Sequence, residues 1–311
     1  MGRGILGAWR VLQTTVRESH LLIFGLGYTG RAVAEAALAA GFGVTGTYRD
    51  HPPAPLAAGV GAVGFAAAGA VVADATHVLA TVPPPGDGGE GEGLDPVLAA
   101  FGGAIRAAPR LRWAGYLSSI GVYGDRGGGW VDEATPPAPG QERSRRRLAA
   151  EQAWAALGDR FAVDLFRVAG IYGPGRSALD DVRAGRARRV VRPGHCFSRI
   201  HRDDIAAAVL AAMRQPRGPG VRVLNLADEE PAEPAAVVEE AARLLGVAPP
   251  PAIPFAEAAA GMSPMGRSFW QESRRVRAAR TRAALGITWR HRTYREGLRA
   301  ILAAEQGHGP A

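Results

Sequence analysis

The sequence contains no lysine: each of the 37 basic residues among its 311 is an arginine. With abundant Ala, Gly and Pro, this points to a GC-rich coding bias, so the formal net charge of +8 says little by itself about partners. The arginines are spread along the chain without an aromatic-interleaved stripe. That pattern argues against nucleic-acid binding and leaves small phosphate-bearing molecules as the natural anionic partners. Cysteine is nearly absent too. The single Cys196 excludes an internal disulfide and a cysteine metal cluster, and suits a reducing cytoplasm. No apolar run reaches the roughly 18 residues of a membrane span. The seven histidines show no H-x-x-x-H or H-E-x-x-H spacing, so no metal site is expected. No period suggests a repeat fold. With 47% hydrophobic and 21% charged residues, what remains is an ordinary globular chain, long enough for one large domain or two unequal ones.

The most informative stretch is Gly25-Leu26-Gly27-Tyr28-Thr29-Gly30. It follows the apolar run Leu21 to Phe24, which reads as a buried strand, and precedes Arg31 to Ala40, rich in helix formers. Strand, G-x-G-x-x-G and helix in that order form the dinucleotide-binding fingerprint. Gly25 suits the tight turn, Gly27 a close approach to pyrophosphate, and Gly30 close packing of helix on strand. The helix start, with Tyr28 and Thr29, offers free N–H groups and a positive dipole end to phosphate. The fingerprint continues with an acid about 20 residues on, which accepts the ribose hydroxyls. Here the second strand, Val44 to Arg49, ends on Tyr48 and Arg49 instead. A planar guanidinium matches a 2′-phosphate, so the cofactor expectation is NADP(H). NAD(H) stays open, because Asp50 can pair with Arg49 or reach the ribose itself.

Strand and helix signals alternate onward, the α/β pattern. Gly61 to Phe65 reads as a third strand and Thr76 to Val82 as a fourth, stopped by Pro83-Pro84-Pro85. An acidic loop, Gly86 to Gly93, is expected to be flexible. Helices are predicted at 94–108 and 141–157, with strands at Trp113 to Ser118 and Phe161 to Val168. A further short strand, Arg222 to Leu226, and a helix from Pro234 to Gly246 follow. The expected architecture is a Rossmann-type doubly wound parallel sheet with a smaller C-terminal substrate lobe. Its parts are an extension at 1–20, the dinucleotide domain at 21–175, the lobe at 176–302 with a return to the sheet, and a tail at 303–311. Ligands of such sheets bind at the carboxyl ends of strands. Val82 and Pro83 therefore join Arg49 and the glycine loop as cofactor-binding candidates.

Several segments together resemble the extended short-chain dehydrogenase/reductase superfamily, the epimerase/dehydratase-like group. They are Gly25 to Gly30, Ser118-Ser119-Ile120-Gly121-Val122-Tyr123-Gly124, Glu133 to Pro137, Leu148 to Glu151, Arg167 to Gly175, Ile200 to Ile205, and the C-terminal Leu285 to Ile287 with Tyr294 to Leu298. The resemblance implies a Rossmann domain, a substrate lobe, a cleft between them, and a Ser/Thr, Tyr and Lys reactive centre. Ser119 stands at the family's Ser/Thr. The Y-x-x-x-K positions fall on Arg143 and Arg147, so this chain is similar to an atypical subgroup without the Tyr-Lys pair. Arg147 keeps a cation for the nicotinamide ribose. Arg143 is a poor proton shuttle at neutral pH. Tyr123, with Arg143 as its cation, is weighed as a stand-in acid, against a packing role.

The resemblance implies hydride transfer with a small hydroxyl or carbonyl compound, including nucleotide-linked sugars, in the cytoplasm. The rival is a non-catalytic NADP(H)-binding sensor. Family members often dimerise through the helices at 94–108 and 141–157, and a homodimer is the matching expectation. Arg176, Arg199 and Arg202 are candidates to hold a substrate diphosphate. Asp203 is expected to N-cap the helix that follows it, and His201 is weighed as a direct catalyst.

Overall fold

The computed structural model describes residues 19–53, 55–86 and 95–307. Of the expected N-terminal extension only residues 19 and 20 fall within these, of the acidic loop only Gly86, and of the tail residues 303–307. Seven parallel strands form the central sheet: β1 (His20–Phe24), β2 (Gly43–Tyr48), β3 (Val60–Gly64), β4 (His77–Ala80), β5 (Trp113–Ser119), β6 (Ala162–Val168) and β7 (Gly220–Leu226). Their spatial order is β3-β2-β1-β4-β5-β6-β7. The order reverses between β1 and β4, and a doubly wound sheet opens a crevice at that point.

Residues Leu21 to Phe24 of β1 are wholly inaccessible. Leu21 and Ile23 join the core on one face, and Leu22 and Phe24 the core on the other. This two-sided burial is why the strand reads as a continuous apolar run. The helices that matter for the site are α1 (Tyr28–Ala39), α2 (Pro96–Ala107), α3 (Glu142–Ala155) and α4 (Arg202–Arg214). Two more, α5 (Pro234–Leu245) and α6 (Tyr294–Glu305), lie in the C-terminal third. Asp95 caps α2, accepting from the backbone N–H groups of Val97 and Leu98. No helix among the described residues is long and apolar enough to cross a membrane.

The C-terminal third divides its residues. Strand β7 returns to the sheet beside β6, and α4 packs on α1, with Ala206, Val209 and Ala212 in the same core as Ala32, Val33 and Ala37. The rest builds a lobe with its own small cores, one around Tyr172, Leu179, Val237, Tyr294 and Leu298, another around Val190, Ala258 and Trp270. A short parallel pair, Arg275–Val276 on Trp130–Val131, ties the C-terminal segment to the loop after β5. That pairing carries residues 266–274 over the carboxyl edge of the sheet.

Candidate active site

The glycine loop leaves β1 with Gly25 at φ +104°, a conformation other residues rarely adopt. Two threonines fix it. The Gly25 N–H donates to Thr47 Oγ1 at 3.0 Å, and Thr81 Oγ1 lies 2.8 Å from the Gly25 carbonyl oxygen. Sequence reasoning missed both; each stands at or just beyond the carboxyl end of a strand flanking β1. A Cβ on Gly30 would come within 2.0 Å of the Gly25 carbonyl oxygen, so helix and turn meet at a distance only glycine permits. A Cβ on Gly27, by contrast, would meet nothing within 4 Å. The start of α1 has no side-chain cap and no acid in its first turn. An open, uncapped helix start fits a phosphate group.

The other cofactor candidates lie along the same edge. Val82 follows β4 with its Cγ2 3.0 Å from where a Gly25 Cβ would be, and Pro83 after it is exposed. Arg49 and Asp50 are exposed just past β2, and no ion pair joins them. Tyr28 reaches away from the loop, its hydroxyl donating to the Pro174 carbonyl oxygen at 3.1 Å.

Ser119, Arg143 and Arg147 share one cleft of about 730 Å³ beyond the carboxyl end of β5. Ser119 Oγ accepts from the Gly121 N–H at 3.1 Å. Arg147 reaches back to the strand, its Nη1 donating to the Leu117 carbonyl oxygen at 3.0 Å and to the Tyr116 hydroxyl at 3.1 Å. Arg143, one turn earlier on α3, lays its guanidinium 4.0 Å from the Phe269 ring centroid. Burial lowers its pKa first, and the Glu272 carboxylate works the other way. Ser144, buried beside Gly121, and Ser118, whose buried Oγ has no partner among the described residues, complete this wall.

The far wall comes from residues 266–274, which sequence reasoning did not place here. Glu272 is its one carboxylate among the described lining residues. Its Oε2 pairs with Arg274 Nη1 at 2.8 Å, while Oε1 is buried without a hydrogen-bond partner. Cys196 also lines the cleft, with Arg275 Nη2 3.9 Å from its sulfur. Arg199 is held by backbone: its Nη1 donates to the carbonyl oxygens of Phe197 and Ala232 at 2.9 and 3.0 Å.

Three expectations are corrected by position. Tyr123 is fully buried; its hydroxyl donates to Asn225 Oδ1 at 2.7 Å, and Arg167, not Arg143, is the cation over its ring at 4.8 Å. Burial pushes its phenol up, away from acid duty. It is a packing residue, outside the cleft wall. The N-cap of α4 is His201, whose Nδ1 accepts from the Asp203 N–H at 3.2 Å, so Asp203 sits in the first turn. His201 itself is buried away from the cleft, its ring centroid 4.0 Å from that of His291. With Asp204 these form a close His/Asp group. Asp204 is already occupied, accepting from the Arg290 N–H at 2.6 Å and from His291 Nδ1 at 2.9 Å. That occupancy reads as a loop anchor.

No protein-family model matches the chain. It is 31% identical over 245 residues to Protein YeeZ of Escherichia coli K12, covering 73% of this chain and 84% of that protein. The chain belongs to the YeeZ family. A functionally unknown conserved protein from Silicibacter pomeroyi is similar in structure, with TM-score 0.82 and 41% identity over 93% of this chain and 99% of that one. A putative NAD-dependent epimerase/dehydratase from Methylobacillus flagellatus gives TM-score 0.68 and 25% identity over 93% of this chain and 99% of that one. More remote structures that share the fold were solved with NAD and UDP-glucuronic acid (MoeE5) and with NADPH (a human epimerase family protein). At the level of the fold, this YeeZ-family chain stands among epimerase/dehydratase-like proteins.

Proposed function

We propose that this YeeZ-family protein is an NADP(H)-dependent oxidoreductase or epimerase-like enzyme. Its substrate is a small hydroxyl or carbonyl compound, with nucleotide-linked sugars the leading class. The observation that carries the reading is the placement of two halves on one sheet edge. The open start of α1 follows β1, and the cleft with Ser119, Arg143 and Arg147 follows β5. When bound there, a nicotinamide cofactor supplies hydride transfer.

The chain's own groups divide the remaining work. Ser119 offers a hydroxyl to the reacting oxygen. Arg147 is a permanent cation for the nicotinamide ribose, and Arg143 one that stabilises a developing alkoxide. Glu272 and Ser118 stand on facing walls of the cleft, where polar side chains suit a hydroxylated compound. The arginines suit an anionic part, as in a nucleotide diphosphate.

A sensor that binds NADP(H) without turnover is the second reading. It is favoured by an arginine at position 143 and by the burial of Tyr123, which leave no tyrosine hydroxyl free at either position weighed for the proton relay. Screening the purified protein for NADPH consumption with carbonyl and nucleotide-sugar panels separates the two. Turnover of any member establishes the enzyme. NADPH binding with no turnover across the panels supports the sensor.

A further inference from the structure

Tyr28 opens α1, and its hydroxyl donates to the Pro174 carbonyl oxygen in the segment after β6. Two guanidinium groups stand over the ring, Arg202 Cζ 4.9 Å and Arg176 Cζ 5.7 Å from its centroid. Neither is spent. Arg202 gives Nε to Asp203 Oδ1 at 3.2 Å, and its terminal amino groups have no hydrogen-bond partner among the described residues. Arg176 is exposed and makes no ion pair among them.

Of the acids nearby, one pairs with Arg202 and none with Arg176 among the described residues. Asp203 is engaged with Arg202 Nε, and Asp180 accepts from the Ser177 N–H and hydroxyl at 2.8 and 2.6 Å. The first turn of α1 contributes no acid of its own. Arg199, the third arginine expected at a diphosphate, is turned into the protein by its two carbonyl partners. The two cations therefore flank the ring of the residue that opens α1. Arg49, past β2, is on the 2′-phosphate side instead.

We propose that Arg176, in the segment after β6, and Arg202, at the start of α4, form an anion clamp for the cofactor's diphosphate beside Tyr28. This rests on the dinucleotide reading above. The helix start alone offers about half a positive charge, whereas a diphosphate carries about two negative ones, so the two guanidinium groups, one of them shared with Asp203, narrow the gap.

The test is a set of titrations with NADPH, NADH and UDP, followed by nicotinamide fluorescence or calorimetry. The proteins are wild type, Arg176→Ala, Arg202→Ala, Arg202→Lys and the double alanine variant. Each alanine is expected to weaken NADPH and NADH by the same factor, about ten-fold for one charge-assisted contact. The double variant loses more than either single one, and Arg202→Lys retains part of the affinity. Because Arg176 is exposed, its variant keeps the fold, which a thermal melt verifies. A double variant that binds both dinucleotides like wild type overturns the clamp. So does a loss confined to NADPH, which assigns the 2′-phosphate, or a loss confined to UDP, which assigns the substrate. Failure of the wild type to bind either dinucleotide removes the dinucleotide reading, and is seen before any substitution is made.

Discussion

Glu151 on α3 and Arg167 on β6 form a buried, two-pronged ion pair, with Nη2 2.8 Å from Oε2 and Nε 3.1 Å from Oε1. Glu151 lies one turn beyond Arg147 and two beyond Arg143 on the same helix, so the pair fixes the face that presents both arginines. Replacing Glu151 by Gln leaves a guanidinium buried without its counter-charge. We expect a loss of about 3–5 kcal/mol in urea denaturation. An unchanged midpoint would show that α3 is held by its apolar contacts, such as Trp154 stacked on Tyr116, alone.

Arg143 and Arg147 differ in what they touch. Arg147 is tied to β5 and Arg143 to Phe269 on the far wall. Arg147→Ala should weaken cofactor binding, while Arg143→Ala should leave it and lower turnover or substrate binding. Cofactor titrations paired with activity assays check the split. Identical behaviour of both variants and wild type in both measurements would remove this helix face from the site.

On the proposed reading, in which the hydroxyl serves the reacting oxygen, Ser119→Ala should lower turnover by about 10²-fold or more with cofactor affinity unchanged. A variant as fast as wild type on an active substrate would mean that the chemistry is not of the Ser-dependent kind.

Stability should fall as pH drops from about 6.5 toward 4. His77 is packed between Phe42 and Trp113, and burial pulls its imidazole down to about 4. The unfolded chain takes up that proton near 6.5, so between these values unfolding is favoured by proton uptake. His201, also lowered to about 4 by burial beside His291, acts in the same direction. Asp228 opposes them. Burial raises its carboxyl to about 8, so its contribution falls as pH rises from about 4 toward 8. Urea titrations across pH should show a shallower acid loss in His77→Gln, and Asp228→Asn more stable than wild type at pH 8. Unaltered pH slopes in both variants would contradict these assignments.

The parts legible in the sequence were those whose signal is local. Leu21 to Gly30 places a strand, a turn and a helix start within ten residues, and the alternation of strands and helices implies the parallel sheet. Arg143 and Arg147 were found by counting along one helix. Glu272 and Phe269 were not, because an irregular segment reaches the cleft only after pairing with Trp130–Val131. Tyr123 misled for a related reason. Its motif belongs to the cleft edge, but its side chain turns inward to Asn225 on β7, a partner about 100 residues away. Capping statistics favoured Asp203 over His201. They do not see that His201 has extended backbone and a ring nitrogen aimed at the Asp203 N–H.

The central claim is a nicotinamide dinucleotide on the loop from Gly25 to Gly30, with Arg49 at its 2′-phosphate. Titrating wild type and Arg49→Ala with NADPH and NADH tests it most directly. The account predicts that wild type binds NADPH at least about ten-fold tighter than NADH, and that Arg49→Ala erases most of that difference. Equal wild-type affinities would contradict the NADP(H) assignment, and no binding of either dinucleotide would contradict the claim as a whole.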